Sequence, residues 1–255
     1  MSEFLFYDLK EKPALTRSLA TQIVQELGRR VVAGAYGQGD LLEEEGALAA
    51  RFQVSRSVIR DAVKILVGKG LLEVRRGIGT RVRPRSAWGL LDDDVLAWHQ
   101  SAPADHAFLR QLMDLRLVIE PKAARWAAER GTAEGHSLIR EAQDRMEQEK
   151  GSIEDFVVAD ALFHRAILRA ADNEFLLAME SAVFSALLIS IRLTNRDPRE
   201  NEESIPFHRA VADAILARDA AEAEARMERL LADTRLRLGE GGAREDGTDG
   251  SARSQ

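Results

Sequence analysis

A chain of 255 residues has room for one large domain or two ordinary ones, and its 45% hydrophobic and 31% charged content suits a globular protein with its own core. No apolar run approaches the ~18 residues of a membrane span. The Met1–Leu15 stretch has no apolar segment of signal-peptide length, and the absence of cysteine removes disulfides, thiolate metal sites and cysteine nucleophiles. A cytoplasmic protein is expected, whose metal sites, if any, are built from Asp, Glu and the 5 histidines. The net charge of −6 conceals an asymmetry: residues 1–83 carry 14 Lys and Arg against 10 Asp and Glu, and the window 52–85 carries 9 basic against 2 acidic residues. Such a local cationic surplus displaces condensed counterions from a polyanion, so it matters more for contact with nucleic acid than the overall acidity.

An N-terminal arm, 1–13, precedes a helical period over 14–33, where Leu15, Leu19, Ile23, Leu27 and Val31 recur at four-residue spacing. Gly34 and the Tyr36-Gly37-Gln38-Gly39 turn end it. A second short helix is predicted from about Glu44 to Phe52. After a tight turn at Gln53-Val54, Ser55 caps a third helix that runs to about Lys69. Gly70 breaks that helix. Leu71–Arg75 and Thr80–Val82 then read as strands joined by Arg76-Gly77-Ile78-Gly79. The order over 14–83 is that of a winged helix–turn–helix.

A linker is expected at 84–91, opened by Pro84. From 92 to 238 the text is helical throughout, with helices near 93–100, 105–130, 133–150, 153–171, 174–195, 203–217 and 219–238 and a kink at Pro121. Residues 239–255 have almost no apolar side chain and are expected to be disordered. The predicted fold class is mostly α: the winged module, then an all-α helical bundle.

Chemistry enters at the start of the third helix. A helix–turn–helix sets the first turns of its second helix in the major groove. Ser55, Arg56, Ser57 and Arg60 occupy those turns, with Arg56 and Arg60 on one face. An arginine fork matches guanine O6 and N7 or a phosphate. Arg75, Arg76 and Gly77 at the hairpin tip suit phosphates and a close backbone approach to the minor groove.

In the helical part, polar residues fall on apolar stripes, where they are costly unless paired or liganded. Asp160 and His164 lie four apart and project to one side, so they suit a single metal ion or a hydrogen-bonded pair. Arg116 and Glu120 form another such pair, suited to a pocket or to a plain ion pair. His208 lies on the inward side of its helix, and Arg192 and Asn195 close a largely apolar one. Together these residues point to a small-ligand pocket.

The stretch Leu48-Ala49-x-x-Phe52-x-Val54-Ser55-Arg56-x-x-x-Arg60-Asp61-Ala62, continued by Leu66 and Gly70-Leu71, resembles the winged helix–turn–helix of GntR-type bacterial transcription regulators. That resemblance implies DNA contacts at Ser55, Arg56, Arg60, Arg76 and Gly77. The family usually carries Leu-Pro-Ser-Glu-Arg before the second helix; this chain has Leu42-Glu43-Glu44-Glu45-Gly46, with Gly46 in the place of a DNA-contacting arginine. Residues 91–238 look like the all-helical FCD effector domain of the FadR branch. The cues are Arg116-x-x-x-Glu120-Pro121, Asp160-x-x-x-His164, Asn173 and His208. The resemblance implies a divalent metal, zinc above all, on Asp160, His164 and His208, and Leu230 stands where a further histidine ligand is usual. Leu91-Asp92-Asp93-Asp94-Val95-Leu96-x-Trp98 and Arg125-Trp126 are similar to the galactonate type of these regulators, which implies a sugar-acid effector. Arg116 would clamp its carboxylate, and Glu120, Asp160, His164, Arg192, Asn195 and His208 would complete the effector site.

The expected protein is a homodimeric, effector-controlled repressor on a near-palindromic double-stranded operator, without enzymatic activity or membrane contact. Two other readings remain open: a helical metalloenzyme acting on a sugar acid, and a DNA-binding protein with no effector.

Overall fold

The computed structural model describes residues 18–103, 105–194 and 199–246, with the side chains of 190–194, 199–201 and 237–246 excepted. The chain divides into two compact units, Met1–Pro103 and Ala104–Gln255.

The first unit opens with helix α1, Leu19–Val32, capped by Ser18, whose side chain accepts from Thr21 N at 3.1 Å. Residues 1–17, which include the expected arm and the first four residues of the predicted helix, lie outside the described residues. Helix α2, Glu45–Phe52, stops at Gln53 in the left-handed conformation (φ 55°). That conformation reverses the chain into Ser55, whose hydroxyl accepts from Val58 N at 3.4 Å and starts helix α3, Arg56–Gly68. Strand β1, Leu72–Arg75, pairs antiparallel with β2, Gly79–Val82, placing Leu72 opposite Val82. The 40–42 segment adds a third edge, which periodicity in the sequence did not signal. Leu42 N donates to Thr80 O and Val82 N donates to Asp40 O, both at 2.9 Å. Leu27, Leu48, Ile59, Leu66, Leu71 and Leu72 form the core between the helices and the wing.

Trp98 belongs to that same core. It lies on helix α4, Asp93–Ser101, which was expected to open the effector domain after a linker at 84–91. The helix stands with the first unit instead. Three ties hold it there: Trp98 Nε1 donates to Gln25 Oε1 at 2.7 Å, and Lys69 Nζ reaches both Asp92 and Asp94 at 2.7 Å.

The second unit is helical: α5 (His106–Arg130), α6 (Ala133–Glu149), α7 (Ile153–Ala170), α8 (Glu174–Ala178), α9 (Glu180–Thr194), α10 (Arg199–Leu216) and α11 (Ala220–Asp246). Pro121 lies within a single continuous α5. The predicted 174–195 helix is instead two, interrupted at Met179. Asn173 caps the short α8, accepting from Phe175 N and Leu176 N at 3.0 and 3.1 Å. In α9, every residue from Glu180 to Ile189 is buried, Glu180, Ser181 and Ser185 among them, so the helix is covered on all sides within the unit. Helix α11 continues to Asp246, beyond Gly239 where disorder was expected; 247–255 lie outside the described residues. Helices α6 and α7 form an antiparallel hairpin, and α5 packs on both α7 and α11.

Candidate functional site

The first-unit residues singled out in the sequence fall at two exposed places, the start of α3 and the tip of the wing. Ser55, Arg56, Ser57 and Arg60 are exposed at the start of α3. The hydroxyls of Ser55 and Ser57 lie 2.8 Å apart. The Arg56 guanidinium lies over Gly46, so that a Cβ on Gly46 would come within 3.1 Å of Nη2. The glycine that departs from the family pattern thereby makes room for Arg56. Arg60 pairs with Glu45 at 3.0 Å and Arg75 with Glu73 at 2.9 Å. These exposed pairs cost little to break, so both arginines can exchange partners for a phosphate. Gly77, at the wing tip, has φ +77° and open space around it. A left-handed turn, rather than crowding, calls for glycine there. Glu43, which adds negative charge just before α2, is held by Arg51 (2.6 Å) and Tyr36 (2.8 Å).

The second unit gathers Arg116 and Glu120 from α5, Asp160 and His164 from α7, and His208 from α10. Arg116 and Glu120 are only 2% and 1% exposed, and Asp160, His164 and His208 are also buried. Arg116 Nε donates to Glu120 Oε1 at 2.5 Å, and the other Glu120 oxygen meets His164 Nδ1. His164 Nε2 and His208 Nε2 each lie 3.2 Å from the same oxygen, Asp160 Oδ1. His208 Nδ1 lies 2.9 Å from the Ser204 carbonyl, which fixes it as a donor. Arg192 lies on α9 with its side chain outside the described portion, and Asn195 lies outside the described residues altogether.

Charge balance sets the protonation. Burial alone would raise the Glu120 carboxyl, but the Arg116 and His164 charges prevail and hold it at about 2. Burial likewise opposes ionisation of Asp160, and hydrogen bonds from His164 and His208 pull it well below the usual carboxylate range. Desolvation works against the His164 imidazolium, yet the carboxylates of Glu120 and Asp160 hold its pKa up to about 9.

The donor set fits a divalent metal ion. Ligand atoms of Asp160, His164 and His208 all lie within 4.8 Å of one another. Both imidazoles turn Nε2 to the common point; His208 keeps Nδ1 on the Ser204 carbonyl, as metal-ligating histidines do, while His164 Nδ1 faces Glu120 as an ion pair without a hydrogen bond. Two histidines and a carboxylate leave open positions for water or a ligand oxygen. Leu230, in place of a further histidine, is buried and has no donor atom. Periodicity had shown each pair on its own helix; the handover from Glu120 to His164 to Asp160 to His208 had no signal in sequence, because it joins helices far apart in the chain.

A winged helix–turn–helix with a basic edge, followed by a helical unit around a buried carboxylate–histidine–arginine centre, defines a ligand-responsive DNA-binding transcription regulator. Residues 19–82 match the gntR family of bacterial regulatory proteins and residues 111–233 match the FCD domain, and the chain belongs to that family. It is 32% identical over 227 residues to the galactonate operon transcriptional repressor of Escherichia coli (strain K12), covering 89% of this chain and 99% of that protein. It is 29% identical over 222 residues to the transcriptional repressor NanR of the same strain, covering 85% and 83%. Among solved structures, Lar, which controls the expression of the Listeria monocytogenes agr system, shares the fold with a TM-score of 0.64 at 17% identity, over 88% of this chain and 97% of that one. The chain is thus a transcription regulator and not an enzyme. Among the described residues, no helix is long and apolar enough to cross a membrane.

Proposed function

We propose that the protein is a cytoplasmic, homodimeric repressor of sugar-acid catabolism genes, released from a near-palindromic operator by an aldonate-type effector. The observation that carries this reading is the buried Arg116–Glu120–His164–Asp160–His208 chain, which concentrates carboxylate- and hydroxyl-binding groups in a helical unit with no catalytic task. The similarity to the galactonate operon repressor supports the sugar-acid class.

On the DNA side, Arg56 and Arg60 would read bases or phosphates in the major groove, with Ser55 and Ser57 on the backbone. Arg75, Arg76 and Gly77 of the wing would grip the adjacent minor groove. In the second unit, residues 105–238 would bind effector and partner subunit. Arg116 would clamp the carboxylate, while Glu120, Asp160, His164, Arg192, Asn195 and His208 would address hydroxyls. Asp160, His164 and His208 would hold a divalent ion, zinc in the first instance, and the ion when bound supplies a positive centre for an anionic ligand. Glu120 keeps the His164 ring oriented and, with Arg116, keeps the centre free of uncompensated charge. The effector changes DNA affinity only through a preference for one arrangement of the DNA-binding units.

The test is a thermal-shift screen of sugar acids and small dicarboxylates, with and without chelator, followed by operator release. A hit that raises the melting midpoint and dissociates the protein from DNA is expected. A complete absence of hits would overturn the sugar-acid reading.

A further inference from the structure

Gln143, on α6, is 6% exposed, and both its side-chain Oε1 and Nε2 are fully buried with no hydrogen-bond partner among the described residues. Native proteins rarely leave both ends of a buried amide unpaired, because such a group forfeits its hydrogen bonds to water and regains none. Among the described buried side chains, Gln143 alone has an unpaired donor and an unpaired acceptor together.

One packing contact and two surface ion pairs place it near the centre. Gly135 of α6 meets Ala170 of α7, where a Cβ would lie 3.3 Å away. In an antiparallel hairpin with equal rise per residue, Gln143 then stands level with Leu162, two residues and about 3 Å of rise from His164. Glu147 of α6 pairs with Arg209 of α10, and Lys150 pairs with Glu202 at 3.3 Å. These pairs set Gln143 against the 209–213 stretch, within about a turn and a half of His208. Its direction follows from the faces. Leu138 and Ala142 of α6 line a surface groove with Leu162 and Ala166 of α7. Gln143 lies with Ile139 and Met146 on the buried side of α6, which adjoins the groove side and turns inward. Asp160 and His164 likewise occupy the face of α7 turned away from that groove.

We infer that Gln143 is an effector-reading residue: its unpaired buried amide, two residues of rise from the level of His164 and within about a turn and a half of His208, supplies one donor and one acceptor to neighbouring hydroxyls of a polyhydroxy acid. The assignment rests on the sugar-acid reading and adds to it a specificity determinant on a helix from which no ligand contact was expected. Because both amide atoms are sealed, a ligand reaches them only by parting α6 from α7 or α10. That displacement is the kind of structural difference through which an effector can favour one arrangement over another.

Calorimetry with D-galactonate on the full-length protein, wild type against Gln143→Met and Gln143→Leu, tests this, together with thermal melts without ligand. The expected result is galactonate binding weakened about tenfold to a hundredfold, with a melting midpoint equal to or above wild type, since an unpaired polar group has been removed. Unchanged galactonate affinity in both variants would overturn the assignment while leaving the sugar-acid reading intact. A midpoint lowered by several degrees would overturn it too, by showing that the amide serves packing. Wild-type protein that binds neither galactonate nor any other sugar acid of the screen would instead strike the sugar-acid reading itself, and this inference with it.

Discussion

The indole of Trp98 rests on Gly28: a Cβ at that position would fall 2.5 Å from ring atom Cζ3, and the ring is fully buried. Glycine in a helix interior ordinarily costs about 1 kcal/mol relative to alanine. At Gly28 the order should reverse, because the added methyl group drives the ring off α1. Gly28→Ala is expected to destabilise the first unit by about 1–3 kcal/mol, measured by urea unfolding followed through tryptophan fluorescence. Equal or greater stability would show that α4 is not seated on α1 as described.

The Arg116–Glu120 pair predicts an asymmetry between single and double replacements. Glu120→Ala leaves a guanidinium buried without its partner and should cost about 3–5 kcal/mol. Arg116→Met combined with Glu120→Leu removes both charges and should cost less than the single change, because the buried guanidinium goes with its partner and His164 keeps Asp160. Thermal melts of the three proteins decide it; a double variant as unstable as the single would mean that the cost lies in the lost contact between Glu120 and His164 and not in an unpaired guanidinium.

On DNA, Arg56→Ala and Arg60→Ala should each weaken operator binding about tenfold to a hundredfold and leave effector binding intact. Glu45 pairs with Arg60 at 3.0 Å in the free protein. Glu45→Gln is therefore expected to tighten DNA binding a few-fold, most clearly at low salt where charges are least screened. Fluorescence anisotropy on a selected duplex at two salt concentrations reads both effects. Arginine variants that bind like wild type would remove α3 from the reading face.

Metal content follows the ligand set. Purified wild-type protein should carry zinc at up to one ion per chain, and chelation should lower its melting midpoint by several degrees. His208→Ala and Asp160→Asn should lose both the ion and the response to chelator. Leu230→His restores the family's usual further ligand and should tighten zinc binding. Emission spectrometry and zinc titration give the answer, and zinc retained in full by His208→Ala would place the ion elsewhere.

Much of the fold was legible in sequence because its causes are local. The Ser55 cap needs only its neighbours three residues on, the Gln53 reversal is a property of one residue's backbone, and the helices after 105 follow from the spacing of apolar residues along a single stripe. The pairs Arg116/Glu120 and Asp160/His164 were visible for the same reason, since four-residue spacing fixes a common face. Only the tertiary structure could assign Asp93–Ser101 to the first unit, split 174–195 at Met179, or join Glu120 to His164 and Asp160 to His208. These depend on which faces of distant helices meet, and periodicity along one helix carries no information about its partner. Gln143 is the limiting case: in sequence it is one polar residue on a helix rich in them, and only burial with both amide atoms unpaired marks it out.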